Sequence, residues 1–302
     1  MEIRTLRAFV EVVRQGGFTQ AAKTVFATQS TVSKAVKQLE EELGLQLLDR
    51  VGHHCALTDA GAVVYRRALI ILAEGDDLKA EIQELRGLTS GTLRLGFPPI
   101  GSNTLFARWF VAYLSRYPGV DLKLVEYGSK RLEELVLNGE LDFAASLLPV
   151  SEHFEWQELR REPIDILLAV DHPLAQSDTL TFAELAEVPF VLYGEGFALN
   201  PMIIEACRQS GFTPKVAAYS SQIDFIIELV AVKLGVCFLP RMIAQQRPHP
   251  LTKCVAIEQP AIYWHMALIW RQGGYLSPAA QAWLELARSQ EVAGNRTQLC
   301  AG

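Results

Sequence analysis

One stretch of the chain gathers small hydroxyls, amides and ammonium groups at helical spacing: Gln29, Ser30, Thr31, Ser33, Lys34, Lys37 and Gln38. On a helical wheel Val32, Val36, Leu39 and Leu43 form one apolar stripe. Ser30, Lys34 and Lys37 fall opposite it, with Ser33 and Gln38 at the edges. Hydroxyls and amides hydrogen-bond base edges in the major groove, and ammonium groups hold phosphates. A solvated helix face carries similar residues, so the assignment depends on what flanks the helix. Arg50 and the pair His53-His54 follow on an expected hairpin, within reach of phosphate or the minor groove.

The flanking elements tip the balance. Leu6, Phe9, Val10 and Val13 repeat at helical spacing until Gly16-Gly17 stops the helix. Thr19 is the expected N-cap of a short helix carrying Ala21, Ala22 and Val25. A break at Ala27-Thr28 precedes the longer helix, which ends at Gly44. Leu45 to Leu57 reads as a hairpin with its tip at Val51-Gly52-His53-His54. Two short helices, a tight turn and a hairpin have the shape of a winged helix-turn-helix over residues 1–58.

Residues 59–90 read as one long helix. Val64, Ile71, Leu78 and Leu85 recur every seven residues, with Ala68 and Ile82 on the neighbouring row and charged groups outside. Such a seam pairs with a copy of itself; packing on its own domain is the alternative. From Thr92 the pattern alternates strand and helix. Strands are expected at Leu93–Phe97, Val120–Tyr127, Leu141–Leu148, Ile164–Val170, Val216–Tyr219, Val236–Leu239 and Met266–Trp270. Helices are expected at Thr104–Arg116, Lys130–Asn138, Pro201–Ser210 and Ile223–Leu234. That alternation predicts an α/β fold with parallel sheets covered on both faces, in two small lobes. The tail from Glu291 has no period and is expected to fray.

Composition removes several classes. Of 302 residues half are apolar and 21% charged, a globular balance. The net charge is −6, so nucleic-acid binding must rest on local residues. Residues 1–58 hold seven basic against six acidic side chains, the only segment that is not net acidic. No apolar run approaches the roughly 20 residues of a spanning helix, and charges interrupt the first apolar stretch, so no signal peptide is expected. Five scattered cysteines make no disulfide framework. No catalytic, cofactor or metal motif is present, so neither an enzyme nor a cofactor is expected.

Phe18-Thr19-x-Ala21-Ala22, Gln29-x-x-Val32-Ser33, Leu47-Leu48-Asp49-Arg50 and Leu57-Thr58-x-Ala60-Gly61 resemble the pattern of the LysR-type transcriptional regulators. Tyr117-Pro118-Gly119-Val120, Gly139-x-Leu141-Asp142, His172-Pro173-Leu174 and Gly235-Val236-x-x-Leu239-Pro240 extend the resemblance to about residue 290. It implies an N-terminal winged helix-turn-helix, a linker helix and a two-lobed periplasmic-binding-protein-like effector domain over 91–302. Lobe I would span about 91–162 and 268–290, and lobe II about 163–267. It further implies a soluble cytoplasmic regulator, a homotetramer built as a dimer of dimers, that binds double-stranded promoter DNA, a small-molecule effector and RNA polymerase. Departures are Ser30 where the family commonly has Pro, Leu48 where it has Phe, and a wing tip with His53-His54 in place of Arg. Ser30 can cap the helix itself, and the histidines give a smaller, pH-sensitive phosphate contribution.

The effector is expected between the lobes. Pro98-Pro99-Ile100-Gly101-Ser102-Asn103 follows the first strand, and Ser102 or Asn103 can cap the next helix, whose free N–H groups make an anion site. Plain capping is their alternative role. Similar family members place ligand there, with contacts from Gly128 and Ser129; Leu147, Leu148, Glu195, Gly196 and Phe197 complete the wall. A small organic acid with an apolar part fits that lining. Some relatives sense oxidants through a cysteine pair, but nothing local lowers the pKa of Cys207 or Cys237. A redox-responsive regulator and a solute-binding protein remain the alternatives.

Overall fold

The computed structural model describes residues 1–51, 54–85, 91–101 and 105–299, with backbone alone at 50, 51, 54, 55, 80, 83–85 and 289–299. The chain divides into two compact units: Met1–Leu88 with Leu137–Glu140, and Thr89–Val136 with Leu141–Gly302.

In the first unit, α1 (Ile3–Arg14), α2 (Phe18–Thr24) and α3 (Gln29–Leu43) precede a hairpin of β1 (Leu48–Val51) and β2 (His54–Leu57), then the 27-residue α4 (Asp59–Leu85). Leu6, Phe9, Val10 and Val12 of α1, Ala21 and Ala22 of α2, and Val32, Val36 and Leu39 of α3 bury against Leu47, Leu48, Ala68, Leu69 and Leu72. The winged helix-turn-helix is thus present, with local corrections. Gly17, not Thr19, precedes α2, and no side chain caps it. Leu43 has turned away from the core and is largely exposed.

Two contacts fix the wing. The Leu47 and Leu48 amides donate to one carboxylate oxygen of Glu40 on α3, at 2.9 and 3.3 Å. Thr58 donates its hydroxyl proton to the Gln46 carbonyl at 2.8 Å and accepts the Gly61 amide at 2.9 Å. Gly61 must be glycine: a Cβ there would stand 1.9 Å from the Leu47 carbonyl oxygen.

The second unit carries an eight-stranded sheet and a two-stranded one. β3 (Gly91–Phe97), α5 (Ala107–Arg116), β4 (Val120–Glu126), α6 (Ser129–Leu137) and β5 (Phe143–Leu147) open it. β3 pairs in parallel with β4 and β5. Asp142 clamps that register by accepting the Arg94 amide at 2.6 Å and its guanidinium at 2.7 Å. The long β6 (Phe154–Ala169) follows, then β7 (Thr179–Thr181), β8 (Pro189–Tyr193), α7 (Leu199–Gln209), β9 (Lys215–Ser220) and α8 (Ile223–Ala231). β10 (Cys237–Pro240), α9 (Arg241–Gln246), β11 (Thr252–Gln259), β12 (Tyr263–Arg271) and α10 (Pro278–Leu299) complete it.

The parallel-sheet expectation needs correction: β12 runs antiparallel to β5 and β6, and β10 and β11 run antiparallel to β6. β6 pairs with β12 over Phe154–Pro163 and with β10 and β11 beyond Ile164, so one strand serves both lobes, across the expected boundary at 162/163. β7, β8 and β11 have no counterpart in the sequence reading. The tail is not frayed at Glu291; α10 continues to Leu299.

Gly61→Ala should displace the wing and lower stability by about 3 kcal/mol, the upper range for overpacking. Glu40→Ala should cost about 1–3 kcal/mol by orphaning two amides. Chemical denaturation checks both, and a Gly61→Ala curve matching wild type would contradict the contact.

Candidate functional site

The amino-terminal site is built on α3. Thr28, not Ser30, is its N-cap: its hydroxyl accepts the Thr31 amide at 3.2 Å. The Ser30 and Thr31 hydroxyls lie 2.9 and 2.8 Å from the Thr28 oxygen, so three hydroxyls cluster on the first turn. Gln29, Ser30, Thr31, Lys34, Lys37 and Gln38 are exposed on one side, Ser33 is half-buried, and Val32, Val36 and Leu39 are buried on the other. Lys37 pairs with Glu41 at 3.4 Å, and Gln38 donates to Glu42 at 3.3 Å. Such i,i+4 pairs are weak, so both side chains can exchange partners, while the exposed Lys34 makes no ion pair among the described residues. The Arg50 backbone lies in β1, opposite Cys55; its side chain and all of His53 lie outside the described residues.

α4 has two apolar faces. Ala68, Leu69 and Leu72 bury against the unit's core, and Val64 packs beside them half-buried. Ile71 is 38% exposed and Leu78 60%, with Ile82 and Val63 also open. The expected seam therefore splits, with Val64 on the core side and Ile71 and Leu78 outside; the Leu85 side chain lies outside the described residues. An exposed Arg7–Asp76 pair at 3.2 Å joins α1 to α4. Such pairs are worth up to about 1 kcal/mol, so the apolar contacts hold α4 in place.

In the second unit the loop after β3 carries Pro99, Ile100 and Gly101; Ser102, Asn103 and Thr104 lie outside the described residues. The capping roles expected of Ser102 and Asn103 therefore also lie outside the described residues; α5 begins at Ala107, with Phe106 at its N-cap position and no side-chain cap there. Gly101 adopts φ +88°, and a Cβ there would stand 2.7 Å from the Trp264 ring, so this loop lies directly on β12. Ile100 is buried with it. Across the cleft, a Cβ on Gly128 would stand 2.6 Å from the Gly196 carbonyl oxygen, so the loops after β4 and β8 touch. Ser129, buried, begins α6, and Leu147 ends β5. Phe197 is less available than expected: it is buried and stacked on Tyr193, centroids 5.7 Å apart. The structure thus brings the Gly101 loop, the Gly128-Ser129 turn and the Gly196 loop to the lobe junction.

Sequence reasoning missed the charged floor. Glu162 lies opposite Trp264 across β6 and β12, is buried, and pairs with Arg160 at 2.5 Å. Arg241 donates twice to buried Asp165, at 2.8 and 2.9 Å, and that pairing raises its pKa. The signal was present in the charges of Glu158-Leu159-Arg160-Arg161-Glu162, which instead disguised the strand.

Among the described residues, Cys207, Cys237 and Cys254 do not form a thiol pair. Burial pushes the Cys207 thiol up to about 11 and raises that of Cys237 as well, whereas Cys254 is exposed. Cys237 and Cys254 both face Leu167 from opposite sides of β6. Two strand spacings, about 9.5 Å, separate their backbones, beyond the roughly 7 Å Cα limit for a disulfide.

Residues 3–62 match the family model described as bacterial regulatory helix-turn-helix protein, lysR family, and residues 86–291 match the LysR substrate binding domain. The chain is 37% identical to the HTH-type transcriptional regulator YwbI of Bacillus subtilis, over 96% of each chain. It is 32% identical to the transcriptional dual regulator GltC of the same organism, over 94% of this chain and 96% of GltC. A cysteine-to-aspartate variant of full-length OxyR from Pseudomonas aeruginosa superposes with a TM-score of 0.73 at 26% identity, covering 96% of this chain and 94% of that one. The fold, the α3 face and these matches agree: the chain belongs to the LysR family, as a DNA-binding transcriptional regulator with a substrate-binding effector domain.

Proposed function

We propose that the chain reads promoter DNA through the exposed face of α3 and responds to a small organic acid held between the lobes of its effector domain. The observation that supports DNA reading best is the polar face of Gln29, Ser30, Thr31 and Lys34, set against the buried Val32, Val36 and Leu39. Thr28 satisfies the first turn, so the Ser30 and Thr31 hydroxyls can turn toward bases at the loss of weak mutual bonds. Ser33, Lys37, Gln38, Arg50 and His53 complete the interface. In this reading residues 1–58 bind DNA, 59–90 dimerise and 91–302 sense.

Ile71, Leu78 and Ile82 supply the dimer seam, because these large apolar groups on α4 are open to solvent. Dimers pair into a tetramer that engages RNA polymerase in the cytoplasm. In this reading the acid sits beside the Gly101 loop and Ser129 and takes Arg160 of β6 as its counter-ion: the α6 amino terminus and a guanidinium both favour a carboxylate, and the mostly buried Ile100 and Leu147 supply apolar lining.

Lys34→Ala should weaken binding to the duplex preferred in selection from random DNA and reduce the slope of log affinity against log salt by about 0.9. An unchanged slope would clear Lys34 of a phosphate role. Ile71→Asp with Leu78→Asp would bury unpaired charge at the seam, at several kcal/mol, and should yield a smaller species by sedimentation; an unchanged species would move the interface elsewhere. Among a panel of carboxylic acids, a ligand at a hundredfold its Kd should stabilise the protein by about 2.7 kcal/mol. Arg160→Ala should weaken that shift, and an equal shift in variant and wild type would remove Arg160 from the site.

A further inference from the structure

We propose that Phe26 makes an apolar contact with duplex DNA at the edge of the groove read by α3, its ring against a thymine methyl or the carbon face of a deoxyribose. The inference rests on the DNA reading of α3 above. Phe26 lies in the turn between α2 and α3, two residues before the N-cap Thr28. Its ring is 98% exposed, so it packs against nothing among the described residues of its own fold. Its backbone is left-handed, with φ +54°.

These two features oppose folding together. A bulky side chain at positive φ is an outlier where Gly, Asn or Asp would sit without strain. An exposed aromatic ring leaves its apolar surface in water. Asn at this position would relieve both, and the core of Phe9, Ala21, Ala22 and Val36 closes without the ring. Strain kept at a surface turn points to use rather than packing.

The neighbours identify the user. Thr28, Gln29, Ser30 and Thr31 are exposed immediately after the turn, so the ring is continuous with the polar face assigned to DNA. A major groove presents one apolar group to such a ring, the thymine C5 methyl, and the groove edge presents sugar carbons.

The test uses the full chain and a duplex obtained by selection from random DNA with the wild-type protein. Affinity and salt slope are measured for wild type, Phe26→Asn, Phe26→Leu and Lys34→Ala. Phe26→Asn should melt at or above the wild-type temperature, sediment unchanged and bind roughly tenfold more weakly, the burial of part of an aromatic ring. Its salt slope should not change, because an apolar contact releases no counterions. Phe26→Leu should recover part of the affinity. Replacing thymines with uracil separates the two surfaces. A methyl contact predicts that uracil weakens the wild type and spares Phe26→Asn, whereas a sugar contact predicts that uracil changes neither. Wild-type affinity in Phe26→Asn, with Lys34→Ala weakened, would overturn the contact and spare the α3 reading. Wild-type affinity in both variants would overturn the α3 reading itself. Altered sedimentation of Phe26→Asn would assign the ring to another protein surface and overturn the proposal.

Discussion

The effector domain depends on β6. Its first half, Phe154 to Pro163, is laddered to β12, and its second, Ile164 to Ala169, lies between β10 and β11. Both lobes are therefore laid down on one strand, and relative lobe movement must be absorbed where its partners change. Within the first half, at Leu159, the register against β12 slips between Met266 and Ala267. A bulge breaks the ladder locally and bends the strand, so compliance is concentrated at one point. The charged residues of the sheet gather on either side of it: Glu158 with His265, Arg160 with Glu162, and Arg241 with Asp165. Apolar residues would serve stability as well here, because the buried carboxylates Glu162 and Asp165 lose in desolvation about what their arginines return. Keeping charge here gives the site proposed above groups that can exchange partners with a carboxylate.

The closed approach of the lobes follows from small residues at the rim. Gly101 brings its loop onto Trp264, and Gly128 lets the opposite loop meet Gly196. A ligand that binds one lobe arrangement better than another shifts the balance only by that difference in affinity. The rim contact between Gly128 and Gly196 is one such term.

Helical elements were legible where a buried stripe forced a 3.6 period: α1, α3, α4, α6 and α8 all fall near their expected places. Caps were less legible, because hydroxyls crowd both ends of the turn and sequence cannot rank Thr28 against Ser30; the bond to the Thr31 amide decides it. The first half of β6 was hidden because Glu155, Glu158, Arg160, Arg161 and Glu162 interrupt the apolar pattern by which the other strands were found, although a strand can carry a carboxylate such as Glu162 inward when it is paired. β8, Pro189 to Tyr193, was too short an apolar run to distinguish from its 3-10 neighbours. The site was legible as loops and illegible as a floor, for the same reason. Burial raises the Cys207 and Cys237 thiols, which agrees with the sequence reading that nothing local lowers their pKa.

The split seam of α4 has a geometric cause. Residues seven apart on a straight α-helix drift by about 20° per heptad relative to one another. From Val64 to Leu78 that is about 40°, and Val64 begins at the edge of the core. The stripe therefore walks off the core face along the helix: Val64 is half-buried, Ile71 is 38% exposed and Leu78 60%. A seven-residue repeat stays on one face only if the helix supercoils about a partner. Meanwhile Ala68, Leu69 and Leu72 keep the first half of the helix fixed to α1. In the dimer proposed above, one sequence would thus satisfy two demands in succession, a core face that needs 3.6 residues per turn and an open seam that needs 3.5. Gly75, the residue of lowest helix propensity in the stretch, lies between Leu72 on the core face and Leu78 on the open one.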